Sequence, residues 1–379
     1  MRTVYLDNNA TTRVAPEVVE AMTPYLTEFY GNPSSVHRLG AKPAEAVRAA
    51  RRQVAGLFGC SDQEVVFTSC GTESNNLAIA GILEAAPGKR HIVTTTVEHA
   101  AINRVVDRME SRGYGVTRVP VDGDGRLDFG ALEGAIRDET ALVTAMWANN
   151  ETGVLFPIDQ IAAVTQSRDV PLLVDAVTAA GKVPIDLRKI PVDLLAMSGH
   201  KLHAPKGVGV LFCREGVPLT SAMLGAGQER GRRPGTENVP GIVGMGVACE
   251  LAAGSVDVYD TGVCRLRDRM EDGLTATIPD IAITGAAVPR VPNTSNVVFR
   301  GVNAGDMLQA LDGAGICASA GTACKSASGQ VSGVLLAMGL EPQDAAAAIR
   351  FSLSAWTTED DIDYVIDAIP ALVTKLRSP

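Results

Sequence analysis

A repeated pattern constrains this chain most: short apolar runs, each stopping at a polar or small residue, with amphipathic stretches between them. The runs Glu64–Thr68, His91–Thr95, Ala141–Trp147, Pro171–Asp175 and Asp193–Met197 have strand length. Ala44–Phe58 and Pro157–Arg168 carry helical periodicity. Short buried strands separated by helices predict an α/β fold with a mostly parallel sheet covered on both faces. In such sheets ligands bind beyond the carboxyl ends of the strands. The residues that end the runs are therefore the functional candidates.

After about residue 255 the texture changes. Asn293–Phe299, Ile316–Ser319 and Ala348–Leu353 read as strands, with helices near Gly305–Leu311, Val331–Met338 and Glu359–Leu376. This fits a smaller α/β domain, and 379 residues suffice for a large domain and a small one.

Composition narrows the function. A net charge of −9 gives no nucleic-acid footprint. The one basic cluster, Arg230-Gly-Arg232-Arg233, sits beside Glu229 and Glu237 and reads better as a site rim or subunit contact. Seven cysteines, odd in number and without a Cys-x-x-Cys pair, suggest neither a zinc site nor a disulfide framework. The start has no signal-peptide core, and no apolar run reaches about 18 residues. The expectation is a cytoplasmic protein with no membrane span, in a reducing compartment where a free thiolate can react.

Ser198-Gly-His200-Lys201 follows one apolar run directly. A lysine at a strand mouth can form a Schiff base, since partial burial lowers its pKa; a solvated loop lysine has the same letters. Leu172-Leu-Val-Asp175 ends another run in a carboxylate, which is costly unless partnered. The pyridinium nitrogen of a pyridoxal cofactor is such a partner, and a helix cap or ion pair is the alternative. Phosphate needs a cradle. Val65-Val-Phe-Thr-Ser-Cys-Gly71-Thr72 reads as strand, turn and helix start, where backbone N–H groups and the Thr72 hydroxyl suit an anion. A plain capping box explains the same residues. His99 can lie on the cofactor ring or be structural.

Cys324 lies in Ser319-Ala-Gly-Thr-Ala-Cys324-Lys-Ser-Ala-Ser-Gly329, among small residues that predict an exposed, mobile loop, and neighbouring Lys325 favours the thiolate. Cys317 reads as core, and Cys70 as packing beside the phosphate turn. Arg350, in an otherwise apolar strand, suits bidentate capture of an amino-acid carboxylate or a structural ion pair. His200 and His203 lack further ligands at metal spacing, so no metal is expected.

Taken together these segments resemble the NifS/IscS-type cysteine desulfurases of the class V aminotransferase group, fold-type I pyridoxal-phosphate enzymes. The resemblance runs through Tyr5-Leu-Asp-Asn-Asn-Ala-Thr-Thr12, Tyr30-Gly-Asn-Pro-Ser-Ser-Val-His37, Thr68-Ser-Cys-Gly-Thr-Glu-Ser74 and Val97-Glu-His99. It continues through Asn149-Asn-Glu-Thr-Gly153, Val174-Asp-Ala176, Ser198-Gly-His-Lys201, Arg233-Pro-Gly-Thr236 and Ala320-Gly-Thr-Ala-Cys324 to Thr357-Thr-Glu359. It implies a large domain over 14–255 that binds pyridoxal 5'-phosphate. Residues 1–13 and 256–379 would form the small domain, which carries the cysteine loop.

By that resemblance Lys201 would hold the cofactor as an internal aldimine. His99 would stack on the ring and assist proton transfers, and Asp175 would pair with the ring nitrogen. Gly71, Thr72, Ser198 and His200 would bind phosphate, with Thr236 coming from the partner subunit of a homodimer. Asn32, Asn150 and Arg350 would face the L-cysteine substrate, and Cys324 would take its sulfur for a sulfur-acceptor protein. Iron–sulfur assembly, tRNA thiolation and DNA phosphorothioation are the implied destinations. An aminotransferase or selenocysteine lyase of the same fold type is the alternative.

Two positions depart from the pattern. Many relatives carry Gln where this chain has Thr178, which is too short to reach the ring's phenolic oxygen directly. A water or another donor is expected in its place, shifting the pKa of the cofactor's aldimine. Lys325-Ser-Ala-Ser-Gly-Gln-Val-Ser-Gly333 also replaces the Leu-Glu-Pro of many relatives.

Overall fold

The computed structural model describes residues 2–321 and 331–378. Its first strand, β1 (Val4–Tyr5), belongs to a minor sheet. The next seven are β2 (Val65–Thr68), β3 (His91–Thr95), β4 (Gly115–Val119), β5 (Thr140–Met146), β6 (Leu172–Asp175), β7 (Leu194–Ser198) and β8 (Gly209–Cys213). They form the main sheet in the order β2-β8-β7-β6-β5-β3-β4. Neighbours from β7 to β4 are parallel, and β8 runs antiparallel to both β2 and β7.

The mostly parallel, helix-flanked sheet is as the pattern predicts, and its strands are buried along their whole length except at edge strand β4. β8 is not among the strands the alternation picks out. It follows β7 without a long intervening helix, so the β–α rhythm gives no cue. Glu64 does not start β2. It closes a 3-10 turn, where its carboxylate accepts from the Ser61 N–H in a capping box.

Helix Arg38–Phe58 starts before Ala44 and carries Pro43 inside it. A proline there cannot donate to the Leu39 carbonyl and its ring crowds that oxygen. The helix buries Val47, Ala50, Val54 and Phe58 at spacings of three and four. It packs on helix Val239–Ala253, whose Gly246 is required by the close approach: a Cβ there would lie 2.6 Å from the Ala50 Cα.

β9 (Ile281–Ile283), β10 (Thr294–Phe299) and β12 (Ala348–Ser352) form an antiparallel sheet in the order β12-β10-β9, while β11 (Ile316–Cys317) pairs with β1 in parallel. Ile349, Phe351 and Leu353 join one apolar cluster with Leu266, Met270, Ile362, Val365 and Ile369, and with Val4 and Leu6 from the chain start. The two-residue strand period turns Arg350 the other way. Arg350 therefore faces the main sheet's carboxyl edge. Among the described residues no single helix is long and apolar enough to cross a membrane.

Candidate active site

The antiparallel β8 reverses direction twice across the sheet, so β2, β3, β5, β6 and β7 all end on one edge. The segments leaving those ends line a cavity of about 230 Å³, closed from the other side by Asn9, Ala10 and Arg350. Gly71, Thr72, His99, Asn150, Asp175, Thr178, Ser198, His200, Lys201 and Arg350 are brought together there. The shared cause is topological: a parallel strand's carboxyl end is where its last side chain meets its neighbours' loops.

Asp175 ends β6 and is 6% exposed. One carboxylate oxygen accepts from the Asn75 amide (2.8 Å) and the other from the Val177 N–H (3.0 Å). Those two donors hold it in place beside the cavity. Past the end of β7, a 3-10 turn over Gly199–Lys201 carries the lysine. Its Nζ donates to the carbonyls of Asn9 and Ala10. His99 caps helix Ala100–Ser111, its Nδ1 accepting from the Ala101 N–H at 3.1 Å. Burial pushes this imidazole below its usual pKa, with Asp175 resisting and Lys201 assisting. A neutral ring that accepts at Nδ1 carries its proton on Nε2.

Burial pushes His200 down to about 4, with Lys201, Lys206 and Lys182 acting in the same direction. Its Nδ1 lies 3.2 Å from the Thr11 hydroxyl, and its carbonyl accepts from the Thr12 N–H at 2.8 Å. These bonds fix the chain start over the cavity. The Ser198 hydroxyl and the Asn150 side-chain oxygen are buried with no partner among the described residues. Arg350 is 1% exposed. One terminal nitrogen donates to the Asn150 carbonyl (3.0 Å), the other to the Asp7 carboxylate (2.8 Å), and Nε has no partner among the described residues.

Asn32 and Thr236 lie elsewhere. Both line a second, outward-facing hollow with Tyr25, Phe29 and Tyr30. Cys324 falls outside the described residues. The chain leading to it is tied to the site, since Ser319 exchanges two backbone hydrogen bonds with Arg350. The returning chain is tied as well: the Ser332 hydroxyl donates to the Glu151 carboxylate, next to Asn150. The sequence reading did not single out Asp7, Asn9, Asn75 or Glu98. The Asp-Asn-Asn run near the chain start was the available signal for the first two.

The family profile described as Aminotransferase class-V matches residues 4–365. The chain belongs to that family. A "Cysteine desulfurase" of Trichormus azollae is 50% identical over 378 residues, spanning 100% of this chain and 94% of that protein. "Cysteine desulfurase NifS" of Azotobacter vinelandii is 46% identical over 379 residues, again 100% of this chain and 94% of the relative. A solved "NIFS-LIKE PROTEIN" superimposes with a TM-score of 0.92 at 37% identity, covering 99% of this chain and 100% of that one.

This class-V chain therefore has the fold-type I pyridoxal architecture, and its cofactor is pyridoxal 5'-phosphate. The cavity fits that group. Asp175 presents a buried carboxylate, Ser198 an unpartnered hydroxyl, and helix Gly71–Ala85 its first N–H groups. A side chain at Gly71 would meet Val177 Cγ2 at 2.7 Å, so a glycine keeps the helix start close against the turn after β6.

Proposed function

We propose that this chain is a cysteine desulfurase in which Lys201, His99, Asp175 and Arg350 act on L-cysteine and Cys324 receives its sulfur. The net reaction is balanced without an outside oxidant: L-cysteine and the Cys324 thiol give L-alanine and a Cys324 persulfide. Bound pyridoxal phosphate supplies an aldehyde for amine capture and an electron-withdrawing ring.

The protein's own groups do the rest. Lys201 at the strand mouth anchors the cofactor and moves protons at its Nζ. Asp175 would pair with the ring nitrogen and favour its charged form, and His99, with its Nε2 proton, would stack on the ring and assist proton transfers. Gly71, Thr72, Ser198 and His200 would hold the phosphate, and Thr178 would leave the phenolic oxygen to a water or another donor. Arg350 and Asn150 orient the substrate carboxylate.

One observation supports this reading above the others: the chain on either side of Cys324 is bonded to Arg350, which lines the cavity, and to Glu151, the neighbour of cavity-lining Asn150. The test is Cys324→Ala. It is expected to abolish persulfide and sulfide formation from cysteine while the cofactor's absorbance stays intact. An aminotransferase or selenocysteine lyase would keep turning over its own amino acid in that variant.

The working unit is proposed to be a homodimer. Asn32 and Thr236 lie away from the cavity of their own chain, in a hollow with exposed Tyr30, and exposed Leu26, Val36 and Leu39 flank Asn32 in the sequence. A second copy seated there would cover those side chains and bring Thr236 to the partner's phosphate and Asn32 to its substrate. Residues 14–255 would act as the cofactor-binding domain and 1–13 with 256–379 as the domain carrying Cys324, working in the cytoplasm. The persulfide would pass to an acceptor protein in iron–sulfur assembly, tRNA thiolation or DNA phosphorothioation. Labelled sulfur followed from the loaded enzyme identifies which.

A further inference from the structure

The reaction scheme gives no task to Glu98, the residue before His99, yet it is one of the most enclosed acids in the molecule, 3% exposed. Its Oε1 accepts from the Thr95 hydroxyl (2.8 Å) and the Met146 N–H (2.9 Å). Its Oε2 is buried with no partner among the described residues. Met146 ends β5, and its register partner in β6 is Asp175. Two buried carboxyl groups thus flank the end of β5, Glu98 on the side of β3 and Asp175 on the side of β6. Two negative charges in one dry site repel strongly, and the less costly arrangement leaves one proton on the pair.

The hydrogen bonds decide which group keeps it. Asp175 receives an N–H donor on each oxygen, which favours its charged form. Glu98 has donors on one oxygen only, and a bare buried oxygen favours the neutral acid. We propose that Glu98 is a positioning residue that stays protonated at neutral pH, so that the single negative charge of the pair rests on Asp175. This deepens the reading above and relies on Asp175 facing the cofactor's ring nitrogen.

The electrostatics agree. Burial pushes the Glu98 carboxyl up to about 8, with Asp175 adding to the rise and the bonds from Thr95 and Met146 opposing it. Of the groups packed around it, Thr95 on β3 and Met146 on β5 carry no charge, and burial pushes neighbouring His99 towards its neutral form.

The sign follows from linkage. An unfolded glutamate releases its proton near ~4.3, whereas the folded one holds it to about 8. The stability this group contributes is complete below the unfolded value and is lost as pH rises through the folded one. Glu98→Gln keeps the shape and has no proton to lose. In the apoprotein, the melting temperature of Glu98→Gln minus that of the natural protein should rise between pH 5 and 8, by on the order of 5 °C.

An infrared band of a protonated carboxyl group, present in the natural apoprotein at pH 7, should be missing from the variant. In the natural protein it should fade above pH 8, a measurement that stands even if the variant does not fold. Parallel melting curves, or a natural protein lacking the band at pH 7, would overturn the proposal. The apoprotein results are independent of whether cysteine is the substrate, so a failure there is distinct from a failure of the desulfurase reading.

Discussion

The floor and the rim of the cavity are built on different principles. On the floor, at the ends of β3, β6 and β7, side chains are held by neutral backbone and amide groups. Both Asp175 oxygens are bonded, His99 caps its own helix, and the turn after β7 delivers Lys201. On the rim, charged groups from distant parts of the chain hold one another. Arg350 spans to Asp7 at the chain start and to the Asn150 carbonyl. A floor of this kind suits a resident group that stays through turnover. The rim suits a ligand that comes and goes, because an incoming carboxylate can take up the Asp7 position on a guanidinium whose Nε has no partner among the described residues.

That contrast makes graded predictions. Lys201→Ala should give the largest effect, a loss of turnover of about 10³-fold, within the usual range for a group that moves protons in catalysis. Borohydride should then leave no reduced cofactor attached to the chain. Retained turnover would mean the floor is not the anchor.

Arg350→Lys should raise KM for cysteine by about 10–100-fold, because a point charge replaces the planar fork and loses one charge-assisted hydrogen bond. Cofactor content should stay unchanged. A drop in cofactor binding instead would erase the distinction between floor and rim.

A third expectation concerns acid. Burial holds the folded His200 near 4, below the ordinary imidazole value. An unfolded histidine takes up its proton near ~6.5, so the stability present above that pH is lost as pH falls towards 4. Thermal unfolding of His200→Asn should show a shallower acid slope than the natural protein, and equal slopes would contradict the assignment. The smallest effect is expected at Thr178, which lines the floor. Thr178→Gln should move the pH midpoint of the bound cofactor's absorbance change. An unmoved midpoint would show that the longer donor adds nothing there.

The two regions also differed in how far the sequence revealed them. Asp175 stands out because it ends an apolar run, and Ser198 and Lys201 because they directly follow one; in a parallel sheet such an end is where the chain meets a ligand. The rim carries no such local mark. The Asp7–Arg350 pair joins residues 343 positions apart, and the carbonyls that receive Lys201 come from the chain start. Carbonyl acceptors leave no trace in residue type. Asn75 was hidden for another reason: it lies on the helix whose first residues read as a phosphate cradle, and only the fold turns it onto Asp175. Strand β8 shows the same limit, since an antiparallel insertion breaks the helix–strand rhythm on which the reading relied.

The central claim is that a substrate held by this floor and rim gives its sulfur to the thiol of Cys324. A single turnover measures it directly: holoenzyme in excess over L-cysteine, without reductant, with alanine counted and the Cys324 peptide weighed. The account predicts one added sulfur atom on that peptide for each alanine formed. Alanine without added sulfur on Cys324, or sulfur on another cysteine, would contradict it.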